Sequence, residues 1–260
     1  MSDSPFVPEA GSPIEASARD DTTLMALAQS QSPSPNGTCD HEIAGQALVT
    51  DPDGVLYWPA TATLVVADLH LEKGSSFARR GLMLPPYDTQ MTLEKLARCI
   101  NRWQPKRVIA LGDSFHDAKA SERLSLPSLT LLKSLMAGRD WVWITGNHDP
   151  EPPVGLGGDV TDDLRESGLI FRHEPQREDC EGELAGHLHP KARIIMRGRS
   201  IRRSCFAASK TRMILPSFGA YTGGLDVLHR AYEGLFDARN FHALMRGDGQ
   251  VYRIAGVELC

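Results

Sequence analysis

The sequence TLVVADLHL occupies residues 63–71 and joins a short apolar run to a polar end. Residues 107–114 (RVIALGDS) and 140–147 (DWVWITGN) repeat this form. Short runs rich in β-branched and aromatic residues that stop at polar ones predict buried strands. Each of the three segments is therefore expected to be a strand whose carboxyl end carries polar side chains.

Two segments between these strands, residues 87–103 and 121–138, have the apolar spacing of helices. Their apolar side chains recur at Met91, Leu93, Leu96 and Ile100, and then at Leu124, Leu129, Leu132 and Leu135. Alternation of strand and helix predicts a mostly parallel sheet. Five later segments read as successive strands, at 168–173, 182–187, 192–197, 200–207 and 212–217. They indicate a second sheet packed on the first and covered by helices on its outside.

The first 40 residues differ from the rest in composition. They are rich in Ser, Pro, Ala and acidic residues and show no sustained periodicity. Six acids and one arginine give them a net charge of −5, the value for the whole chain, so residues 41–260 are close to neutral. A segment that buries little apolar surface cannot offset its ordering entropy. We therefore predict a disordered, acidic, Ser/Pro-rich extension at residues 1–40 and one folded domain at residues 41–260.

Cysteine usage and hydropathy bear on the compartment. The five cysteines are scattered and form no CxxC pair, which argues against a disulfide framework or a thiolate zinc site. The first twenty residues lack the features of a signal peptide, and no apolar run approaches the ~18 residues of a spanning helix. The expectation is a cytoplasmic protein with no membrane partner.

Seven side chains of metal-ligand type follow the predicted strands: Asp68, His70, Asp113, Asn147, His173, His187 and His189. The carboxyl ends of parallel strands meet at one edge of an open sheet, so these side chains can converge. The DxH and HxH spacings place both side chains of each pair on one face of an extended segment. Oxygen and imidazole donors without thiolate suit Mn²⁺, Fe or Zn²⁺.

The ordered set DxH, GD, GNHD, H and GHxH, each at a strand end, resembles the signature of the calcineurin-like metallophosphoesterases over about residues 54–222. The segments ADLHLEKGSSFARRG, LPPYDT, ALGDSFHD, GNHDP, AGHLHPKA and LPSFGAYTGGLDV are similar to the bacterial ligase-associated DNA-damage-response endonucleases called PdeM. The resemblance implies an α/β (α+β) fold, a four-layer αββα sandwich of two mixed sheets flanked by helices. It also implies two divalent metal ions, with Mn²⁺ preferred to Fe or Zn.

The resemblance divides the ligands between two sites. One would consist of Asp68, His70, Asp113 and His189. The other would consist of Asp113, Asn147, His173 and His187, so that Asp113 bridges the ions. His148 would stand beside the ions without binding them, and Asp149 would hold its imidazole.

Phosphodiester hydrolysis gives a physical reason for this set. Two cations about 3.5–4 Å apart generate hydroxide near neutral pH and clamp the phosphate oxygens, and a bridging Asp113 fixes their separation. The leaving oxygen needs a proton, which the imidazole of His148 can give, with Asp149 to orient it. In GNHDP, Asn147 adds a neutral oxygen ligand and Gly146 allows a sharp turn. Alone, GNHDP would be a strand-ending turn.

Substrate contacts are predicted less directly. Arg79 and Arg80 follow the first ligand motif, and His116 with Asp117 follows Asp113; surface loop residues would look the same. Eight Lys or Arg and no acid lie between residues 191 and 212, as in a solvated hairpin or a phosphate-binding face, with Arg202 and Arg203 at its centre. Phe218 and Tyr221 could stack on an unpaired base or simply pack in a turn.

The sequence thus predicts a metal-dependent phosphodiesterase that cleaves DNA, an endonuclease linked to DNA repair, with metal-activated hydroxide as nucleophile and His148 as general acid. The resemblance implies single-stranded or damaged DNA as substrate and a repair ligase and helicase as partners. The alternative is a phosphatase, or a phosphodiesterase for cyclic nucleotides or small molecules, using the same site. An inactive binding scaffold is a third hypothesis, which intact ligand motifs disfavour. The sequence does not indicate an oligomeric state.

Overall fold

The computed structural model describes residues 36–79, 81, 87–151, 155–178, 180–196, 198–237 and 239–260. Within them the strands are β1 Cys39–Ile43, β2 Gln46–Thr50, β3 Leu56–Trp58, β4 Thr63–Val66, β5 Arg107–Leu111, β6 Asp140–Ile144, β7 Asp159–Thr161, β8 Asp163–Glu166, β9 Leu169–Arg172, β10 Glu183–Ala185, β11 Lys191–Met196, β12 Arg199–Ala208, β13 Arg212–Ile214, β14 His242–Gly247 and β15 Gln250–Ala255. The helices are α1 Lys73–Arg79, α2 Asp88–Trp103, α3 Ala120–Arg123 and α4 Leu126–Met136.

The first sheet is mixed and has the strand order β1-β2-β3-β4-β5-β6-β7. Strands β4 to β7 are parallel, as the strand and helix alternation predicts, and β1 to β3 add an antiparallel half. Parallel strands are buried on both faces, which explains why β4, β5 and β6 are continuous apolar runs. Val65 and Ile109 point inward between the sheets, whereas Leu64 and Val108 point outward to the helices.

The second sheet has the order β15-β14-β12-β13-β10-β9-β8, with β11 paired to β12 as a hairpin. Its central strands β9, β10 and β13 are parallel, and the others are antiparallel. The five strands predicted after residue 168 are all present. Strands β8, β14 and β15 were not predicted, because short half-exposed strands carry weak patterns.

The structure has three apolar layers, and the one between the two sheets packs them into the predicted sandwich. Helices α2 and α4 cover the outer face of the first sheet, and an apolar layer fills the space between the sheets. The outer face of the second sheet is covered by residues 226–241, which include a 3-10 turn at Arg230–Tyr232. The helices predicted there are not found among the described residues. Met91, predicted on the apolar face of α2, is 48% exposed.

The described residues begin at residue 36, so the disorder predicted for the first 35 residues concerns a part of the chain outside them. Strand β1 begins at Cys39, two residues before the predicted start of the domain. No helix in the described part of the chain combines the length and the apolar composition that crossing a membrane requires.

Candidate metal centre and the adjoining cleft

The predicted ligands gather where the parallel strands of both sheets end. Pairing of β4 with β5 and of β5 with β6 aligns the carboxyl ends of these strands. Strands β9 and β10 of the second sheet end at the same edge, because Gly186 donates its N–H to the carbonyl of His173 and the ring of His173 contacts the carbonyl of Leu111. All seven predicted ligand side chains lie at this edge.

One group of donors consists of Asp68, His70 and His189. The Nε2 atoms of His70 and His189 are 3.3 Å apart, and the Nε2 of His189 lies 3.2 Å from Oδ1 of Asp68. Asp68 and His70 are buried, and His189 is half-buried. Burial and the neighbouring His189 lower the pKa of His70 to about 2, so its imidazole is neutral and keeps a lone pair for a cation.

A second group consists of Asp113, His173 and His187. Asn147 joins it, with its Oδ1 2.9 Å from Nε2 of His173 and 3.0 Å from Nδ1 of His187. The Nδ1 of His173 lies 2.9 Å from the carbonyl of Leu111. A carbonyl oxygen only accepts hydrogen bonds, so Nδ1 of His173 carries a proton. Its Nε2 faces the other candidate metal ligands of the group.

Asp113 lies between the two groups. Its Oδ1 is 3.4 Å from Nε2 of His173, and its Oδ2 is 3.9 Å from Nε2 of His70. Burial alone would raise the pKa of Asp113, but hydrogen bonds from His173 and from the backbone N–H of His148 hold that pKa below its usual range. Asp113 is therefore a carboxylate that presents one oxygen to each group.

His173, in the second group, binds a proton more readily than an ordinary histidine. Burial disfavours the charged imidazolium of His173, but Asp113 and Asp68 outweigh it and raise the pKa of His173 to about 9. Ligands must be deprotonated to hold a metal, so a cation would compete with this proton.

Backbone strain concentrates at these residues. Asp68, His70, Asp113, His187 and His189 all have positive φ, between 44° and 67°. A non-glycine residue in this region costs on the order of 1–3 kcal/mol and persists only where its surroundings fix it. The expectation that Asp68 and His70 share a face of an extended segment is therefore wrong. Their side chains converge while both residues adopt the left-handed conformation, and a regular strand with a spacing of two does not account for it.

Glycines beside the ligands provide space. A Cβ at Gly146 would overlap the backbone nitrogen and Oδ1 of Asp113, and one at Gly186 would lie 2.7 Å from Oδ2 of Asp68. The φ of Gly146 is not positive, so its role is close packing and not the sharp turn expected from the sequence.

We expect Gly146→Ala to lower metal affinity by about 10–100-fold, the usual effect of displacing a group that supports a ligand. The added methyl group must push Asp113 away from both donor groups. Titration of the metal-free protein with Mn²⁺ measures the loss. Gly223→Ala is the matched control, since no atom lies within 4 Å of a Cβ at that position. Equal affinities for the two variants would contradict the packing role.

His148 stands beside both groups without entering either. Its Nδ1 lies 3.2 Å from the carbonyl of His116, so Nδ1 is the donor, and its Nε2 lies 3.9 Å from Oδ2 of Asp113. The ring stacks on that of His116 at 5.2 Å between centroids. Its side chain is 42% exposed, open to a substrate above the donor groups.

Asp149 does not hold the imidazole of His148, which corrects that prediction. Its Oδ2 accepts from the backbone N–H of Phe115 at 3.0 Å. Burial, outweighing the hydrogen bond from Phe115, raises the pKa of Asp149 to about 7. The side chain therefore anchors the loop after β5 instead, and the carbonyl of His116 contacts the imidazole in its place.

The residues after Asp113 separate into two roles. His116 is half-buried, with its ring against those of His70 and His148, so it lies at the edge of the donor groups. Asp117 pairs with Arg123 through both carboxylate oxygens, at 2.7 and 2.9 Å. That pair fixes α3, and Asp117 is a structural residue rather than a substrate contact.

A cleft of about 380 Å³ adjoins the first donor group. It is lined by Lys95, His189, Pro190, Lys191, Arg202, Arg203, Ser204, Ser217, Phe218, Gly219, Tyr221, Thr222, Gly223 and Arg246. The predicted substrate residues Arg202, Arg203 and Tyr221 are thus at one site with His189. Arg79 is exposed at the end of α1, and Arg80 lies outside the described residues.

The basic run at residues 191–212 is not one surface. Arg212 is buried, and its Nε lies 3.1 Å from Glu183, so it stabilises the second sheet. Arg193 donates to the carbonyl of Cys260. Only Lys191, Arg202 and Arg203 of the described members line the cleft. Phe218 is 1% exposed and cannot stack on a base, whereas Tyr221 is 37% exposed.

Sequence reasoning missed Lys95 and Arg246. Lys95 lies on α2 and Arg246 on β14, far from every ligand motif in the chain. Neither position carries a local signal, since a lysine on an amphipathic helix and an arginine near a strand end are both ordinary surface residues.

Comparison with known proteins identifies a family, and solved structures match the fold. Residues 61–200 match the family described as calcineurin-like phosphoesterase. The crystal structure of Pseudomonas putida nuclease MPE is 29% identical with a TM-score of 0.64, over 84% of this chain and all of that one. YfcE, a phosphoesterase from E. coli, is 13% identical with a TM-score of 0.37, over 74% of this chain and 98% of that one. A search of curated proteins gives no match.

Proposed function

This chain belongs to the calcineurin-like phosphoesterase family, and from that premise we propose that it is a two-metal phosphodiesterase that cleaves nucleic acid. The family and the phosphoesterase fold identify a hydrolase of phosphoester bonds. The observation that carries the finer proposal is the position of Asp113, with one carboxylate oxygen toward each of two donor groups.

The donor set fits two divalent cations. Nitrogen and oxygen atoms in each group approach one another to about 3 Å, the separation of ligands that share one ion at ~2.0–2.2 Å. We propose Asp68, His70, Asp113 and His189 as ligands of one ion. We propose Asp113, Asn147, His173 and His187 as ligands of the other. Imidazole, carboxylate and amide donors without thiolate support Mn²⁺, with Fe or Zn as alternatives.

When bound, the cations would lower the pKa of a water molecule and neutralise charge on the phosphate. The protein's own groups do the rest. Asp113 holds the two positions at a fixed spacing, and the carbonyl of His116 orients the imidazole of His148. We propose that His148, as an imidazolium with its Nδ1–H directed at the carbonyl of His116, donates its Nε2 proton to the leaving oxygen and remains as the neutral Nδ1–H imidazole.

Two observations support nucleic acid as the substrate. One matched structure, Pseudomonas putida nuclease MPE, is 29% identical to this chain and is covered over its full length. The cleft beside His189 is lined by cations, and phosphodiester backbones bind to Lys and Arg by charge neutralisation. We propose Arg202, Arg203 and Tyr221 as substrate contacts in the cleft, and His116 and Arg79 as further contacts outside it.

The remaining features of the proposal follow the family resemblance. The substrate would be single-stranded or damaged DNA in a repair process, with a ligase and a helicase as partners. The five cysteines are free, which fits a reducing compartment and supports a cytoplasmic location.

We expect the protein with Mn²⁺ to hydrolyse bis-p-nitrophenyl phosphate and to nick circular single-stranded DNA, and to be much less active on p-nitrophenyl phosphate. The three substrates are assayed side by side after removal of metals and addition of Mn²⁺. Activity confined to the monoester would indicate a phosphatase. Activity on the small diester without DNA cleavage would indicate a small-molecule phosphodiesterase.

A further inference from the structure

The floor of the cleft holds two cations, Lys95 and Arg246. The Nζ of Lys95 is 3.2 Å from the carbonyl of Phe218 and 3.9 Å from the centre of its ring. Arg246 donates from Nε to the carbonyl of Pro52 at 2.7 Å. These contacts fix both side chains without neutralising their charge, since a carbonyl and an aromatic face are neutral.

The cleft concentrates positive charge. Five of its lining residues are cationic (Lys95, Lys191, Arg202, Arg203 and Arg246), and the described lining contains no Asp or Glu. The carboxylates of Asp53 and Asp51 act on the charge of Arg246, but both bond Arg102, at 3.1 and 2.7 Å. Burial, and next the charge of Arg246, lower the pKa of Lys95 to about 8. Such crowding of cations is relieved by an anion.

The cleft is also joined to the candidate metal centre through the backbone. His189 belongs to both. The loop that forms one wall is bonded to the ligand segment, because Ser217 donates to the carbonyl of Asp68 at 3.1 Å and Gly219 donates to the same carbonyl at 3.0 Å. A chain that places one phosphate at the metal centre would therefore pass directly into the cleft.

We propose that this cleft is a subsite for a second phosphate of an oligonucleotide, adjacent to the phosphate at the metal centre, with Lys95 and Arg202 as its principal anchors. This inference rests on the proposed function. It names the substrate as a polymer recognised through at least two backbone phosphates, in contrast to a mononucleotide or a simple diester.

Tyr221 restricts the substrate further. It lines the cleft, its φ is 56°, and its hydroxyl lies 3.7 Å from the sulfur of Met91, so its half-exposed ring is held in a defined position. An aromatic face stacks on a base only when that base is unpaired. The subsite therefore fits a single strand.

The test compares Arg202→Gln and Lys95→Met with Arg199→Gln, which removes one charge from the same strand β12 outside the cleft lining. Binding of fluorescently labelled tetrathymidylate to metal-free protein is measured by anisotropy across a salt series. The KM for the tetranucleotide and for bis-p-nitrophenyl phosphate is measured with Mn²⁺. Thermal melting verifies folding of each variant.

We expect each cleft variant to weaken tetranucleotide binding by about tenfold and to flatten the log–log salt slope by about 0.7, the loss of one phosphate contact. Relative to the wild type, the factor by which the KM rises for the tetranucleotide should be at least about five times the factor for bis-p-nitrophenyl phosphate. Arg199→Gln should resemble the wild type in binding. Equal binding by Arg202→Gln and Arg199→Gln would overturn the subsite, even if Lys95→Met fails to fold. Absence of any oligonucleotide cleavage by the wild type would instead refute the proposed function.

Discussion

Asp113→Asn is expected to lower kcat/KM for bis-p-nitrophenyl phosphate by at least about 10³-fold. The substitution removes the carboxylate that presents one oxygen to each donor group, at 3.4 Å from Nε2 of His173 and 3.9 Å from Nε2 of His70. Stabilisation by bound cations is worth several kcal/mol, and each 1.36 kcal/mol is a factor of ten in rate. Steady-state kinetics with Mn²⁺ measures the effect. Asp140→Asn is the matched control, because Asp140 is an exposed carboxylate at the opposite end of β6.

Metal content distinguishes a bridging role from a general loss of stability. The wild type should bind two Mn²⁺ per chain at saturation, and Asn147→Ala, which removes an oxygen donor from the second group alone, should retain one. Asp113→Asn should weaken both. One ion per chain in the wild type, unchanged by Asn147→Ala, would refute the two-site arrangement.

His148→Ala is expected to reduce turnover by about 10²–10⁴-fold on DNA and on alkyl diesters, the range for loss of a general acid. The loss should be much smaller with p-nitrophenyl esters, whose leaving group needs no proton. Metal content should be unchanged, because no donor group includes His148. Comparing kcat for the two classes of diester makes the measurement.

His229→Ala is the control for this substitution, since His229 is exposed and its ring accepts a hydrogen bond from the backbone N–H of Ala231. An equal loss on p-nitrophenyl and alkyl diesters would rule out proton donation by His148. In that case the stacked pair of His148 and His116 would serve to bind substrate instead.

The local sequence was sufficient to predict the strands that carry the site. Strands β4, β5 and β6 are buried on both faces, so their apolar runs stand out against the polar residues that follow. Because carboxyl ends of parallel strands meet at one edge, the positions of the seven donor residues followed from the same pattern. The antiparallel strands β1 to β3, which lie half-exposed at the edge of that sheet, were not predicted.

The spacing of residues along the chain does not explain why the candidate ligand side chains converge. A spacing of two residues predicts Asp68 and His70 on one face of an extended strand, whereas both have positive φ. A left-handed residue other than glycine is unfavourable in isolation, so no local pattern predicts it. Packing of the two loops on each other, through the bond from the N–H of His70 to the carbonyl of Asp113, imposes it.

Partner assignments failed for a related reason. Asp149 follows His148 in the chain, yet its carboxylate accepts a hydrogen bond from the backbone N–H of Phe115. The imidazole of His148 contacts the carbonyl of His116 instead. Likewise Arg212, one of eight basic residues in a run, is buried against Glu183. At a strand end the backbone leaves the regular pleat, so the side chains of adjacent residues point in different directions. The contacts that neighbouring loops offer then decide where each side chain points.

The sequence by itself determined which chemistry the chain carries: seven donors of oxygen and imidazole type after buried strands, and one histidine beside them. Residue types and strand periodicity are local properties, so they can be identified from the sequence without a structure. Only the tertiary structure decided that Asp113 faces both donor groups, and that Lys95 and Arg246 from two distant elements meet Arg202 in one cleft. Those contacts join residues from about 40 to about 150 positions apart, and they exist only because the sandwich brings the edges of its two sheets together.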